Sequence, residues 1–267
     1  MGVGIAYVFA MSTARTWIVE PNQQRAEQLT KELQAAAAEG HRRGRLQADE
    51  VGPLLQRITC VAMVEEIPTG LDAIIESVPE RLELKRRVLH ACEAMQPRLL
   101  ASNTSSLSIN ELASTLAEPS KFLGMHFFNP VWSLQLVEIV RGDATSEDSL
   151  RTAIQLSERL GKQVVVVRDA PGFATSRLDL VGALEAMRML EEGVARAEDI
   201  DRAVTLAYRH PVGPLWLSDL VGLDVRLDIS RQLAIALGPR FQPPQILIDK
   251  VAAGHLGKKS GQGFYTW

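Results

Sequence analysis

Up to residue 168 this chain alternates short apolar runs with longer amphipathic stretches, and no other feature restricts its fold as much. The apolar runs fall at residues 16–19, 58–61, 73–77, 99–102, 122–126, 135–140 and 164–167. Each is too short for a buried helix and rich in Val, Ile, Phe or Leu, so each reads as a strand. Helical spacing fills the intervals at 22–40, 49–56, 81–95 and 147–160, where Leu150, Ile154, Leu156 and Leu160 mark the apolar stripe of the last. Residues 2–12 read as a further, apolar helix, and the NTSS cluster at 103–106 reads as a cap opening a helix near Ile109. Strands alternating with helices predict an α/β domain with a mostly parallel, Rossmann-like sheet covered on both faces. Four consecutive valines, Val164 to Val167, read as a fully buried strand. After Asp169 only helical patterns remain, broken at Pro211, Pro214, Pro239 and Pro243–Pro244. The predicted division is therefore an α/β domain over 1–168 and an all-α domain over 169–267.

Composition excludes several classes. The 29 Lys and Arg against 32 Asp and Glu give a net charge of −3, which argues against a nucleic-acid partner. Cys60 and Cys92 are the two cysteines. Neither lies in a CxxC or a His cluster, so no metal site is expected, and two lone thiols suit a reducing compartment. No apolar run is long enough to span a membrane, and the N-terminus lacks a basic leader, so the expected location is cytoplasmic.

A dinucleotide-binding unit runs strand, glycine-rich turn, helix, strand, and then an acidic residue for the ribose hydroxyls. Here Glu20 ends the 16–19 strand, which follows a helix starting at Gly2. That is the back half of such a unit. Gly2 reads as its last glycine and Gly4 as a close-packing helix residue. The first strand and first two glycines, roughly 10–15 residues, have no counterpart in the sequence. Two readings fit: a chain beginning at an internal Met of a longer protein, which we take as the expectation, or a shortened form that would be unstable or poor in cofactor.

Six segments carry a resemblance: SNTSSLSI (102–109), GMHFFNPV (124–131), LVEIVRG (136–142), DAPGFATSRL (169–178), HPVGPLWLSDLVGLD (210–224) and LGKKSGQGFY (256–265). In order and spacing, the chain resembles the L-3-hydroxyacyl-CoA dehydrogenases, including the bacterial 3-hydroxybutyryl-CoA dehydrogenases, over essentially residues 2–267. The resemblance implies an N-terminal NAD domain, a C-terminal helical domain that dimerises, a cleft active site, an acyl-CoA substrate and a place in fatty-acid β-oxidation. It implies His126 as the base that takes the hydroxyl proton, Glu138 as its partner, and Ser105 and Asn129 as hydrogen-bonding positions on the substrate oxygens and the nicotinamide side. For NAD it implies Gly2, Glu20, Glu80, Lys85 and Lys259, with the Glu20 carboxylate repelling the 2′-phosphate of NADP. For substrate it implies Ser176, where the family usually has Asn, and Arg43 in the basic turn 41–45 for the phosphates of coenzyme A. Trp132, where a small residue or proline is common, would reshape the acyl pocket. Each position also has a plainer reading. His126 would be a core histidine, Ser105 a cap, Asn129 a turn residue, Glu80 and Lys85 an exposed i,i+5 pair, and Arg43 and Lys259 solvated charges. Two other functions stay open: a related hydroxy-acid dehydrogenase with a non-CoA substrate, and a cofactor-deficient homologue serving as a dimerising or CoA-binding module.

Overall fold

The computed structural model describes residues 1–267 and divides into two compact units, 1–169 and 170–267. The first unit begins with α1 (Gly2–Met11), β1 (Thr16–Val19), α2 (Gln23–Arg42), α3 (Ala48–Gln56) and β2 (Ile58–Val61). It continues through β3 (Ile74–Glu76), α4 (Leu82–Ala94), β4 (Leu100–Ser102), α5 (Ile109–Ala113), β5 (Phe122–Phe127), β6 (Leu136–Arg141), α6 (Glu147–Arg159) and β7 (Gln163–Arg168).

Helix α1 is apolar on every side, and such a helix must be buried; Ile5, Ala6, Tyr7, Val8 and Ala10 are all in the core. Gly4 lets it lie against the chain beyond β5, since a Cβ there would meet Val131 Cγ2 at 2.9 Å. Helix α2 is amphipathic instead. Asn22 caps it by accepting from Arg25 N at 2.9 Å, and Leu29, Leu33, Ala37 and Gly40 form its buried stripe.

Pairing is mostly parallel, as expected, but the strands form two sheets. One joins β1 and β2, and the other has the order β3-β4-β5-β6-β7 with a single antiparallel pair, β5 and β6. The terminal strands β1 and β2 of the first sheet and β3 and β7 of the second are each paired on one side only. A common core still joins the sheets, because Ile18 of β1 and Ile75 of β3 both pack against the cluster containing Ile5 and Val8.

Two local expectations need correction. The valine strand β7 is the outer strand of its sheet, paired on one side only, and Val165 and Val166 are exposed rather than buried. In α6 the expected Leu150, Ile154, Leu156 and Leu160 do pack against the core, half-buried, and flank a fully buried stripe of small residues, Ser149, Ala153 and Ser157. Small side chains there let the helix backbone approach the sheet. The cap of α5 is Ser108, whose hydroxyl accepts from Glu111 N at 3.1 Å, not the NTSS cluster.

The second unit is helical: α7 (Thr175–Glu191), α8 (Ala197–Ala207), α9 (Pro214–Val221), α10 (Leu223–Leu237) and α11 (Gln245–Ala252) around a core of Leu180, Leu184, Met187, Leu215, Leu223 and Leu247. Two buried carboxylates tie its C-terminal tail down. Asp201 accepts from Leu215 N, Trp216 N and the Tyr265 hydroxyl, at 2.8–2.9 Å. Asp219 accepts from Phe264 N, Tyr265 N and Trp267 Nε1, each at 2.9 Å. Glycine is required at 213 and 263, where a Cβ would collide with these carboxylates. No helix is long and apolar enough to cross a membrane.

Candidate active site

His126 lies inside β5 rather than on a loop after it, so its position is fixed by sheet register. The antiparallel pairing sets it directly opposite Glu138 of β6. Its Nδ1 is 3.0 Å from Glu138 Oε2, and both side chains are buried. A carboxylate acceptor at this distance suits the imidazole tautomer that carries its proton on Nδ1. The Phe128 ring packs against the imidazole at 4.3 Å between centroids. The Asn103 amide oxygen accepts from Phe127 N at 2.8 Å and fixes the end of β5 to the chain beyond β4.

Ser105 and Asn129 lie on the turns that follow β4 and β5. Ser105 sits on a turn organised by Glu80, whose Oε1 accepts from Thr104 Oγ1 at 2.5 Å, from Ser105 N and Ser106 N at 3.0 Å, and from Ser106 Oγ at 2.9 Å. Burial works against the Glu80 charge, but these bonds and the Lys85 ammonium outweigh it and hold its pKa below the ordinary value. Lys85 is not the exposed partner of an i,i+5 pair. It is fully buried, and its Nζ donates to Glu76 Oε1 at 2.8 Å, Glu76 Oε2 at 3.1 Å and Val78 O at 3.2 Å, with Glu80 Oε2 also at 3.2 Å. Glu76 was not singled out from the sequence. It also accepts from Ser102 Oγ and Val78 N, each at 2.6 Å. The available signal was a carboxylate closing the apolar run at 73–77.

The dinucleotide chemistry can be tested against the residues present. Gly2 opens α1, so the first-turn N–H groups of that helix have no helical acceptor and suit a phosphate. Beside them, Ser77 Oγ is buried without a hydrogen-bond partner, and its Cβ would lie 3.8 Å from a Cβ at Gly2. Glu20 follows β1 and is half-buried, with Oε1 accepting from Asn22 N at 2.9 Å, which leaves acceptor capacity for ribose hydroxyls. These groups fit a dinucleotide.

The basic turn borders a cavity of about 520 Å³ walled by α1, the end of α2 and the segments 132–135 and 159–162. Arg43, Arg45, Arg159 and Lys162 bring four positive charges to it, against the carboxylate of Glu39. Arg43 is bound to Glu39 at 2.5 Å, so its charge is shared. Trp132 also lines the cavity, edge-on to Tyr7 at 6.1 Å. In the helical unit, Ser176 is in the first turn of α7, half-buried, and Lys259 Nζ is held by Asp224 at 2.5 and 2.6 Å. No three His, Cys, Asp or Glu side chains cluster in a way that could hold a metal ion.

Comparison with known proteins gives the same division of the chain. The family model for the 3-hydroxyacyl-CoA dehydrogenase NAD binding domain matches residues 1–170, and that for the C-terminal domain matches 172–267. A probable 3-hydroxybutyryl-CoA dehydrogenase of Bacillus subtilis is 38% identical over 270 residues, covering 100% of this chain and 94% of the relative. A 3-hydroxybutyryl-CoA dehydrogenase of Mycobacterium tuberculosis is also 38% identical, over 273 residues, with 100% and 95% covered. Among solved structures, the (S)-3-hydroxybutyryl-CoA dehydrogenase of Ralstonia eutropha superposes with a TM-score of 0.95 at 32% identity, covering 100% of this chain and 95% of that one.

Proposed function

Because the chain belongs to the 3-hydroxyacyl-CoA dehydrogenase family, we propose that it interconverts an L-3-hydroxyacyl-CoA and the 3-ketoacyl-CoA with His126 as the general base. The observation that carries the proposal is the buried His126–Glu138 pair, set by strand register and joined at 3.0 Å. NAD, the family's cofactor, supplies the acceptor for the hydride that leaves carbon 3. His126 Nε2 takes the proton of the 3-hydroxyl as the carbonyl forms, and returns it in the reverse direction. Glu138 keeps the imidazole in the required tautomer and stabilises the imidazolium. Ser105 donates to the reacting oxygen, and Asn129 orients the thioester and nicotinamide side.

Gly2 and its neighbours donate to phosphate, Glu20 takes the ribose hydroxyls and disfavours a 2′-phosphate, and Lys85 fixes Glu80 beside the Ser105 turn. Residues 1–168 take the cofactor. The helical unit takes substrate and dimerises, with Ser176 assigned to the substrate and Lys259 to the cofactor. The phosphates of coenzyme A are drawn to Arg43 and the positive cavity behind it. Exposed Leu178, Val181, Leu220, Val221, Val225 and Ile235 supply the apolar surface for a homodimer. Free Cys60 and Cys92 suit a reducing cytoplasm.

The test is NADH oxidation with acetoacetyl-CoA. His126→Ala is expected to abolish turnover and leave NADH affinity nearly unchanged, and full activity in that variant would refute the base assignment. Arg43→Glu is expected to raise the Michaelis constant for the CoA substrate. An unchanged constant would favour a substrate without coenzyme A.

A further inference from the structure

The turn joining β5 to β6 carries Asn129 and Trp132 between His126 and Glu138. Its own hydrogen bonds are few: Ser133 N and Leu134 N both donate to Pro130 O, at 2.9 and 3.0 Å. The carbonyls of Val131, Trp132 and Leu134 are instead captured by two cationic side chains from other parts of the unit. Lys162 Nζ donates to Val131 O and to Leu134 O, the latter at 2.6 Å. Arg45 Nη1 donates to Trp132 O at 2.7 Å. Between these contacts Val131 is pressed against Gly4 of α1.

A lysine is an unusual partner for such a turn. Lys162 is 8% exposed, and its ammonium bonds to carbonyl oxygens rather than to a carboxylate. A buried ammonium without a counter-ion is tolerated only when polar groups replace its water. Here the turn carbonyls do so, and the chain reversal after α6 aims the side chain at them: Gly161 has φ +69°, and Lys162 N donates to Ser157 O at 3.0 Å. Burial, and then the like charge of Arg45, lower the Lys162 pKa. The ammonium is therefore committed to the turn's carbonyls, whose partial charges compensate it within hydrogen-bonding reach.

We infer that Lys162 and Arg45 are positioning residues that hold the turn 130–134 in one shape and thereby place Asn129 and Trp132 against the acyl substrate. The inference rests on the reaction proposed above, so its test needs one readout independent of turnover. Hydrogen exchange of the Ser133 and Leu134 amides supplies it, and steady-state kinetics with acetoacetyl-CoA supplies the other. In Lys162→Met these amides are expected to exchange at least tenfold faster, with β3 and β4 unaffected. The turnover number falls at least tenfold while NADH affinity, set at Gly2 and Glu20, stays within twofold. Lys162→Arg, which restores the donors, recovers most of both losses. Unchanged exchange in Lys162→Met, or equal losses in the Met and Arg variants, would overturn the inference. Should Lys162→Met fail to fold, Arg45→Ala decides, because Arg45 is exposed: faster exchange of the same amides supports the inference and unchanged exchange overturns it. A parent protein inactive on acetoacetyl-CoA would count against the reaction alone, since the exchange result would still decide the role of the two cations.

Discussion

Removing the Lys85 ammonium tests the buried network beneath the candidate site, and the structure sets the size of the effect. Glu76 receives four hydrogen bonds: two from Lys85 Nζ, one from Ser102 Oγ and one from Val78 N, with Oε1 and Oε2 both engaged by the lysine. Both side chains are essentially without solvent. Lys85→Met leaves an ionised carboxylate in that environment with two neutral donors, and removes a donor from Val78 O as well. Breaking one side of a buried pair costs about 3–5 kcal/mol. Glu76→Gln is milder, about 2 kcal/mol, because the amide oxygen still accepts and Glu80, 3.2 Å from Nζ, keeps a counter-charge. The double variant removes the charge imbalance while the introduced glutamine still accepts from Ser102 or Val78. It should therefore be more stable than the sum of the single losses predicts, by about 2–3 kcal/mol. Urea unfolding of the four proteins measures all three differences. Additivity within about 0.5 kcal/mol, or a Lys85→Met variant more stable than Glu76→Gln, would refute the charge-compensation argument.

Glu138→Gln keeps the shape of the pair but removes its charge, and should lower the turnover number by roughly two to four orders of magnitude in NADH oxidation assays. Glu80 has a folded pKa below the ordinary 4.5, so its stabilisation is complete above that value and is lost as pH falls through the depressed one. Urea midpoints should then show that Glu80→Gln destabilises at neutral pH and makes little difference once the pH is below the depressed pKa. Tyr265→Phe removes one bond to Asp201 and should cost about 1 kcal/mol in urea unfolding.

Local pattern was enough to find the strands, the helices and the change of texture after Asp169, because each depends on the period of apolar residues along a short stretch. It failed where neighbours in space decide. Four valines in a row look equally buried in the middle of a sheet or at its edge, and only strand order makes Val165 and Val166 exposed. Lys85 resembles any charged residue of an amphipathic helix, and its burial follows from Glu76 at the end of the neighbouring strand. Lys162 is equally ordinary by sequence, since the carbonyls it serves are 28 and 31 residues distant.

The His126–Glu138 pair was legible in the sequence through the family resemblance, and the strand register supplies its physical reason. An ionisable residue inside an apolar strand carries a desolvation cost that only a partner in space offsets. FLGMHF and LVEIVR each contain one such residue in their interior, and antiparallel pairing of the two runs brings them face to face. Once the hairpin is assumed, Glu138 is the acceptor that His126 requires, and His126 is the donor that Glu138 requires. The same reasoning applied to IIE and LAS would have drawn Glu76 and Ser102 together, since those strands pair in parallel with the two residues in register. What each strand cannot disclose is the third member, Lys85, supplied by a helix. Sites built from paired strands are therefore readable two residues at a time, and their helical contributors emerge only with the packed fold.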